Sequence, residues 1–303
     1  MNAPEVREGY ISVRGGRVWY RTVGSGSRIP LLTLHGGPGV PHDYLELLEA
    51  LSDERPVIFY DQLGCGKSDR PDDTSLWRIP RFVEELIQVR QALQLKRLHL
   101  FGHSGGTILA TEYALTKPVG LVSLILASPS MSHSRMVQDC MHLCAEFPKE
   151  VQSAIERQLT EGGADTDAPL LAEAMQEYSR RHLCRLDPIP EVLARALAGL
   201  GGQVYSTMRG GSGFFSLGGE LGSYDSSARL GEIAVPTLLT CGRYDDSTPD
   251  TTAWYRGLIP GSEMVVFEQG SHMHFLEEPE HYLQVIRDFL GRFECRETKQ
   301  MAR

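Results

Sequence analysis

Short apolar runs recur along the chain, most of them followed by glycine or polar turn residues and then by a segment with apolar residues at helical intervals. Residues 10–13 and 18–23 alternate apolar and polar about Gly15 and Gly16, the pattern of an antiparallel hairpin. The runs 31–34, 56–60, 98–101, 122–127, 236–240 and 264–267 are almost continuously apolar, as strands covered on both faces of a parallel sheet are. Helical spacing marks 44–51, 81–95, 108–115 and 279–293. The alternation predicts an α/β protein with a mostly parallel, doubly wound sheet of eight strands.

The pattern changes after Ser128. From 131 to 200 there is no strand signal, only amphipathic segments such as 151–159 and 170–183, interrupted by Gly162, Gly163, Pro169, Pro188 and Pro190. A glycine-rich stretch, 201–222, follows, and strand signals then resume. We read residues 131–228 as a helical cap inserted over the carboxyl edge of the sheet, where open α/β sheets bind ligands, with 1–130 and 229–303 forming the core. The polar tail ECRETKQMAR is expected to fray.

Composition narrows the partners. With 303 residues the chain is long enough for a well-buried core. A net charge of −9 without a local lysine or arginine cluster argues against nucleic acid or an anionic membrane as partner, so a small molecule or short peptide is the expected substrate. No apolar run reaches membrane-spanning length, and the first residues, MNAPEVREGY, lack a signal-peptide layout. The six cysteines, Cys65, Cys140, Cys144, Cys184, Cys241 and Cys295, show no metal-ligand spacing. They read as buried thiols of a cytoplasmic protein, with no metal and no cofactor expected.

Candidate chemistry sits at the predicted strand ends. The run LHLFGHSGGT, 98–107, is a strand, a G-x-S-x-G turn and a helix start, the context of a nucleophile elbow that pushes the Ser104 hydroxyl above the sheet edge. The glycine-rich run His35-Gly36-Gly37-Pro38-Gly39 follows another strand; the N–H groups of Gly37 and Gly105 are the expected oxyanion donors. The G-x-G at Gly64 and Gly66 lacks the third glycine and helix start of a dinucleotide site, so Asp61 is read as tying that turn. Asp245 and His272 each follow a strand, giving the order Ser, Asp, His. His272 is the expected base and Asp245 its orienting acid, with Asp246 and His274 as rivals.

These motifs carry a resemblance. HGGPG at 35–39, DQLGCGKSDRP at 61–71, GHSGGT at 102–107, GRYDDSTP at 242–249 and SHMHFLEEPE at 271–280 resemble the proline iminopeptidase family of α/β-hydrolases. RRHLCRLDPIP at 180–190 is similar to a stretch of its tricorn-interacting aminopeptidase and amino-acid amidase branch. The resemblance implies a cofactor-free serine hydrolase of the α/β-hydrolase fold that removes an N-terminal amino acid from short peptides or amides. It matches Ser104, Asp245 and His272 to the triad and Gly37 and Gly105 to the oxyanion loops, with Gly36, His103, Asp246 and Glu220 expected at the substrate. That branch holds the substrate amine with two glutamates. Here Gly213 stands at the first position and Asp246 at the second, and Glu220, Glu173 and Glu177 are the candidate replacements. Gly105 stands where the proline-preferring branch carries a bulky aromatic, which removes the basis for strict proline specificity. Gly213 also motivates the alternative of an esterase, lactonase or thioesterase with the same triad. A binding protein on a hydrolase scaffold is a third reading, disfavoured because no catalytic group is missing.

Overall fold

The computed structural model describes residues 4–161, 168–211 and 218–294. Strands β1 (Val6–Val13), β2 (Gly16–Val23), β3 (Leu31–Leu34), β4 (Val57–Tyr60), β5 (Leu98–His103), β6 (Leu121–Ala127), β7 (Thr237–Gly242) and β8 (Glu263–Phe267) form one sheet in the order β1-β2-β4-β3-β5-β6-β7-β8. β2 pairs antiparallel with both β1 and β4; every other neighbour pairs parallel.

The period-two geometry of a strand sorts the apolar runs onto two faces. Leu32, Leu34, Ile58, Tyr60, Leu98, Leu100, Leu124, Leu126 and Leu239 share one core with α1 (Ile79–Ala92) and α2 (Gly105–Leu115), through Phe82, Leu86, Ile108 and Tyr113. Their in-between neighbours Leu31, Val57, Phe59, Phe101, Ile125 and Leu238 share the opposite core with Leu45, Leu48 and Leu51 and with Tyr282, Ile286 and Phe289. Each such side chain taken from water contributes roughly 1.5–3 kcal/mol, so the uninterrupted apolar runs, not local propensity, make the central strands.

Two helical segments differ from the expected form. The 44–51 segment lies within a 3₁₀ helix, His42–Asp53, and the reason is legible: Leu45, Leu48 and Leu51 recur every three residues, the 3₁₀ period. The 81–95 periodicity outlasts α1, which ends at Ala92; Gln94 turns at φ 54° while Leu93 and Leu95 still pack on the core.

Between β6 and β7 lie α3 (His133–Leu143), α4 (Lys149–Glu161), α5 (Ala168–Tyr178), α6 (Glu191–Ala198) and α7 (Gly202–Arg209). The first three build a core of their own from Cys140, Cys144, Phe147, Val151, Ile155, Ala174 and Tyr178. The last two do not: Leu193 and Ala196 join one sheet core, and Val204 and Met208 the other. An isolated bridge pairs Ser132 with Asp225 across this segment, reinforced by Ser132 Oγ donating to Asp225 Oδ2 at 2.9 Å. After β7 come α8 (Pro249–Leu258), the one-turn α9 (His274–Glu277) and α10 (Pro279–Gly291). Glu294, expected to fray, instead accepts from the fully buried Arg55 and from the Ile29 N–H at 3.3 Å. The rest of the tail with Cys295, Gly162, Gly163 and Gly213 lie outside the described residues. Among the described residues no helix is long and apolar enough to cross a membrane.

Candidate active site

β5 delivers His103 and then Ser104, which turns at φ 52° and ψ −123° into α2. A serine held in this conformation stores roughly 1–3 kcal/mol of backbone strain, and the surrounding glycines make the turn possible. A Cβ on Gly102 would stand 2.6 Å from the Gly106 carbonyl oxygen, and one on Gly106 would overlap the carbonyl of Leu34. The turn is closed by Ser104 N–H donating to Ala127 at 2.9 Å and Thr107 Oγ donating to the Ser104 carbonyl at 2.6 Å.

The loop after β3 lies against this elbow. Gly37, at φ +112°, and Gly105 are so close that a Cβ on Gly105 would touch the Gly37 backbone at 3.4 Å. Gly36 is wedged behind them, with room for a Cβ only 2.9 Å from Ser104 Cβ and the His103 carbonyl oxygen. Its N–H donates to the Tyr44 hydroxyl at 2.7 Å, Tyr44 donates to His103 Nδ1 at 2.9 Å, and His103 Nε2–H therefore donates to the His272 carbonyl at 3.0 Å. Burial, reinforced by the His272 charge, holds His103 well below the ordinary histidine range, so the ring stays neutral. Asp61 ties the neighbouring loop as expected: Oδ1 accepts from the His42 N–H at 3.0 Å and from His42 Nδ1 at 2.7 Å, and Oδ2 accepts from the Lys67 N–H at 2.9 Å.

Asp245 and His272 arrive on the loops after β7 and β8. Asp245 Oδ1 accepts from His272 Nδ1 at 2.9 Å and from the Ser247 N–H at 2.9 Å, while Oδ2 accepts from Ser128 Oγ at 2.6 Å and the Gly242 N–H at 3.3 Å. Asp246 Oδ1 lies 2.8 Å from the same His272 nitrogen. Burial works against a charged His272, yet the Asp246 and Asp245 carboxylates outweigh it and push the imidazole up to about 10. Burial raises the Asp245 carboxyl; Asp246, also opposed by burial, is brought down by His272. His274 is fully buried, faces Thr240 Oγ at 2.9 Å and is depressed to about 3 by burial.

Ser104, His272, Asp246, His103, Gly37 and Gly105 all border one cavity of about 350 Å³. Its other walls are mainly apolar; the segment between β6 and β7 supplies Met136, Tyr178, Leu193, Leu197 and Tyr205, and the rest of the chain supplies Val40, Tyr44, Ile108, Tyr255 and Met273. Four residues expected at or near the substrate stand elsewhere or behind it. Gly36 is displaced from the cavity by the elbow it packs on. Glu220 occupies the turn Gly219–Leu221, of which Leu221 is the residue on the cavity wall. Glu177 is held by Arg180 at 2.6 Å and Arg181 at 2.5 Å, and Glu173 is exposed on α5.

Residues that the sequence reading passed over complete the site. Ser128, at the end of β6 with φ 48°, orients Asp245; its only signal is its place just past a strand. The turn Ser179–Leu183, wound as a π-helix after α5, has carbonyls that accept from the His272 N–H at 3.0 Å and the Met273 N–H at 2.9 Å. Among the described residues two clusters bring three ligand-type atoms within 4.8 Å of one another, Asp245–Asp246–His272 and His42–Asp43–Glu46. Both are already spoken for: each imidazole Nδ1 faces a carboxylate, and Arg195 pairs with Asp43 at 3.2 Å and Glu46 at 2.5 Å.

Comparison with known proteins places this geometry. Residues 29–279 match the family model described as alpha/beta hydrolase fold. A proline iminopeptidase of Heyndrickxia coagulans is 47% identical over 286 residues, spanning 94% of this chain and 98% of its own. The crystal structure of a Mycobacterium smegmatis proline iminopeptidase superposes with a TM-score of 0.86 at 32% identity, covering 95% of this chain and 99% of that one. The crystal structure of VinJ superposes with a TM-score of 0.88, also at 32% identity and with the same coverage.

Proposed function

The chain belongs to the proline iminopeptidase family of α/β-hydrolases, and from that premise we propose that it is a serine hydrolase releasing an N-terminal aminoacyl group from short peptides or amides. The observation that carries the reading is one cavity bordered at once by a strained serine on an elbow, by a histidine backed by carboxylates and by the paired Gly37 and Gly105 backbones.

In this reading Ser104 Oγ attacks the scissile carbonyl while His272 Nε2 takes its proton, and the N–H groups of Gly37 and Gly105 hold the oxyanion. Asp245, fixed by Ser128, Gly242 and Ser247, keeps the His272 Nδ1–H pointed away from the serine and stabilises the imidazolium. Collapse of the tetrahedral adduct breaks the C–N bond; His272 returns the proton to the leaving amine. Water, deprotonated by the same imidazole, then hydrolyses the Ser104 ester. Asp246 is the carboxylate on the cavity wall nearest the base, and we assign it to the substrate ammonium. The segment 131–228 serves as the cap that shapes the acyl pocket, and the five described cysteines, all free and buried, suit a reducing cytoplasm.

Steady-state assay with alanyl, prolyl and phenylalanyl p-nitroanilides tests the reading. Turnover that vanishes in Ser104→Ala supports it. Rapid cleavage of simple esters with no anilide hydrolysed would instead assign the protein to the esterases. An intact protein whose Ser104 resists a fluorophosphonate would make it a binder.

A further inference from the structure

Two carboxylates compete for one N–H at the base. His272 Nδ1 carries a single proton, and Asp245 Oδ1 and Asp246 Oδ1 stand at 2.9 and 2.8 Å from it. The two acids are not equivalent. Asp245 is 1% exposed and receives three further hydrogen bonds, from Ser128, Gly242 and Ser247, which fix it in place. Asp246 is 19% exposed along its side chain, and it borders the cavity that Asp245 does not reach.

We propose that Asp246 is a substrate-operated restraint on the base: in the unliganded enzyme its carboxylate rests on His272, and a substrate ammonium draws it off and frees His272 to accept the Ser104 proton. The inference rests on Ser104 and His272 being nucleophile and base, and it adds that recognition of the amine and activation of the base are one event.

Charge counting supports it. With both acids ionised, two carboxylates and one imidazolium give the cluster at the base one net negative charge in a mainly apolar cavity. An ammonium drawn to Asp246 makes that cluster neutral; a neutral acyl group leaves it as it was. Arg209 of α7 brings a guanidinium to the wall of the same cavity, while the titratable groups packed against the pair itself add no positive charge. His103, from the elbow, is kept neutral by burial and by His272; burial does the same for His274 beside the base and for His182, whose Nδ1 is bonded to the Tyr244 carbonyl at 2.9 Å. From α3, Asp139 has its carboxyl raised by burial and accepts from Thr248 Oγ at 3.1 Å. Cys140 of α3 and Tyr178 of α5 are raised well above their ordinary values, the thiol by its hydrogen bond with Cys144 and by burial, the phenol by burial, and remain un-ionised.

While both carboxylates face His272 it is held near 10 and stays an imidazolium at neutral pH, which has no lone pair for the serine proton. Once Asp246 turns to the ammonium, the Nε2 proton leaves to solvent and Asp245 alone orients the ring. Discrimination against substrates lacking a free amine then falls on kcat as well as on KM.

The test uses reagents with and without an amine. Inactivation of Ser104 by neutral phenylmethylsulfonyl fluoride reads the base alone: in the wild type its rate rises with pH through a midpoint well above 8, and Asp246→Asn lowers that midpoint by about 2 units, toward an ordinary histidine. At pH 7 the same variant cleaves p-nitrophenyl 3-phenylpropionate about 10-fold faster than wild type and phenylalanyl p-nitroanilide about 100-fold more slowly. Equal losses on both substrates, or an unmoved midpoint, overturn the proposal. Should the variant not fold, ¹⁵N-histidine NMR of the wild type decides: His272 is charged at pH 8 without ligand and neutral with phenethylamine bound, whereas an unliganded His272 titrating near 6.5 refutes the restraint. If no aminoacyl anilide is turned over while the ester and the sulfonyl fluoride react, the aminopeptidase reading fails. The sulfonyl fluoride midpoint still decides the restraint.

Discussion

The His272 backbone N–H donates to the His182 carbonyl at 3.0 Å, and the next N–H, of Met273, donates to Leu183 at 2.9 Å. The segment between β6 and β7 therefore does more than line the cavity: its π-helical turn sets the backbone that carries the proposed base. His182 Nδ1 reaches the Tyr244 carbonyl at 2.9 Å, so the same turn also braces the loop of Asp245 and Asp246.

Glu277 joins these two regions. Its carboxylate accepts from the Ser271 N–H and the Arg185 N–H, each at 2.5 Å, and from Ser271 Oγ at 2.8 Å. Glu277→Ala leaves two backbone donors without this partner, a loss of about 2–3 kcal/mol. We expect a lower melting temperature and a kcat reduced about 10-fold, with Glu277→Gln intermediate, as read by calorimetry and p-nitroanilide kinetics.

Gly106 tests the packing of the elbow. A methyl there would overlap the carbonyls of Leu34 and His35, backbone atoms that have no rotamer to escape into. Gly106→Ala is expected to cost about 3 kcal/mol in denaturant unfolding. Gly257 is the control, because a methyl there would meet nothing within 4 Å. Gly257→Ala in α8 should be neutral or stabilising by up to about 1 kcal/mol.

Tyr44→Phe removes one hydroxyl that both accepts from Gly36 and donates to His103. The oxyanion loop loses its tether while the cavity wall keeps its shape. Expected is a kcat about 10- to 100-fold lower with KM changed less than about 3-fold; a KM effect alone would mean that Tyr44 merely lines the pocket.

Glu294 predicts an acid limb of stability. Burial pushes its carboxyl up, but His99, the Ile29 N–H and Arg55 outweigh burial and bring it down to about 2. A carboxyl lowered on folding stabilises above its unfolded value of 4.5 and loses that contribution as pH falls toward about 2. Wild-type melting temperature should fall across that window. Glu294→Gln should lack this portion of the fall and be less stable at pH 7 by about 3 kcal/mol, because Arg55 remains buried with its partner weakened.

The strands were legible because burial on both faces writes uninterrupted apolar runs, and Leu31–Leu34 falls on its expected bounds. The elbow was legible because its glycines answer to steric demands within a few residues. What the sequence hid was non-local. Ser128, Tyr44 and the 179–183 turn act through contacts with residues far along the chain, and no period or spacing encodes such partners. The amine side was misjudged at Glu220 for a related reason: a residue's place in the chain does not say which of two neighbours in a short turn faces the cavity, and here it is Leu221.

Every donor along Gly36, Tyr44, His103 and His272 points in the same direction. A thread of that kind cannot drift one member at a time: a residue at 103 that lost its acceptor would strand the tyrosine proton, and one that lost its donor would strand a carbonyl. Positions 44 and 103 are therefore energetically coupled, and a change at one is expected to require a compensating change at the other.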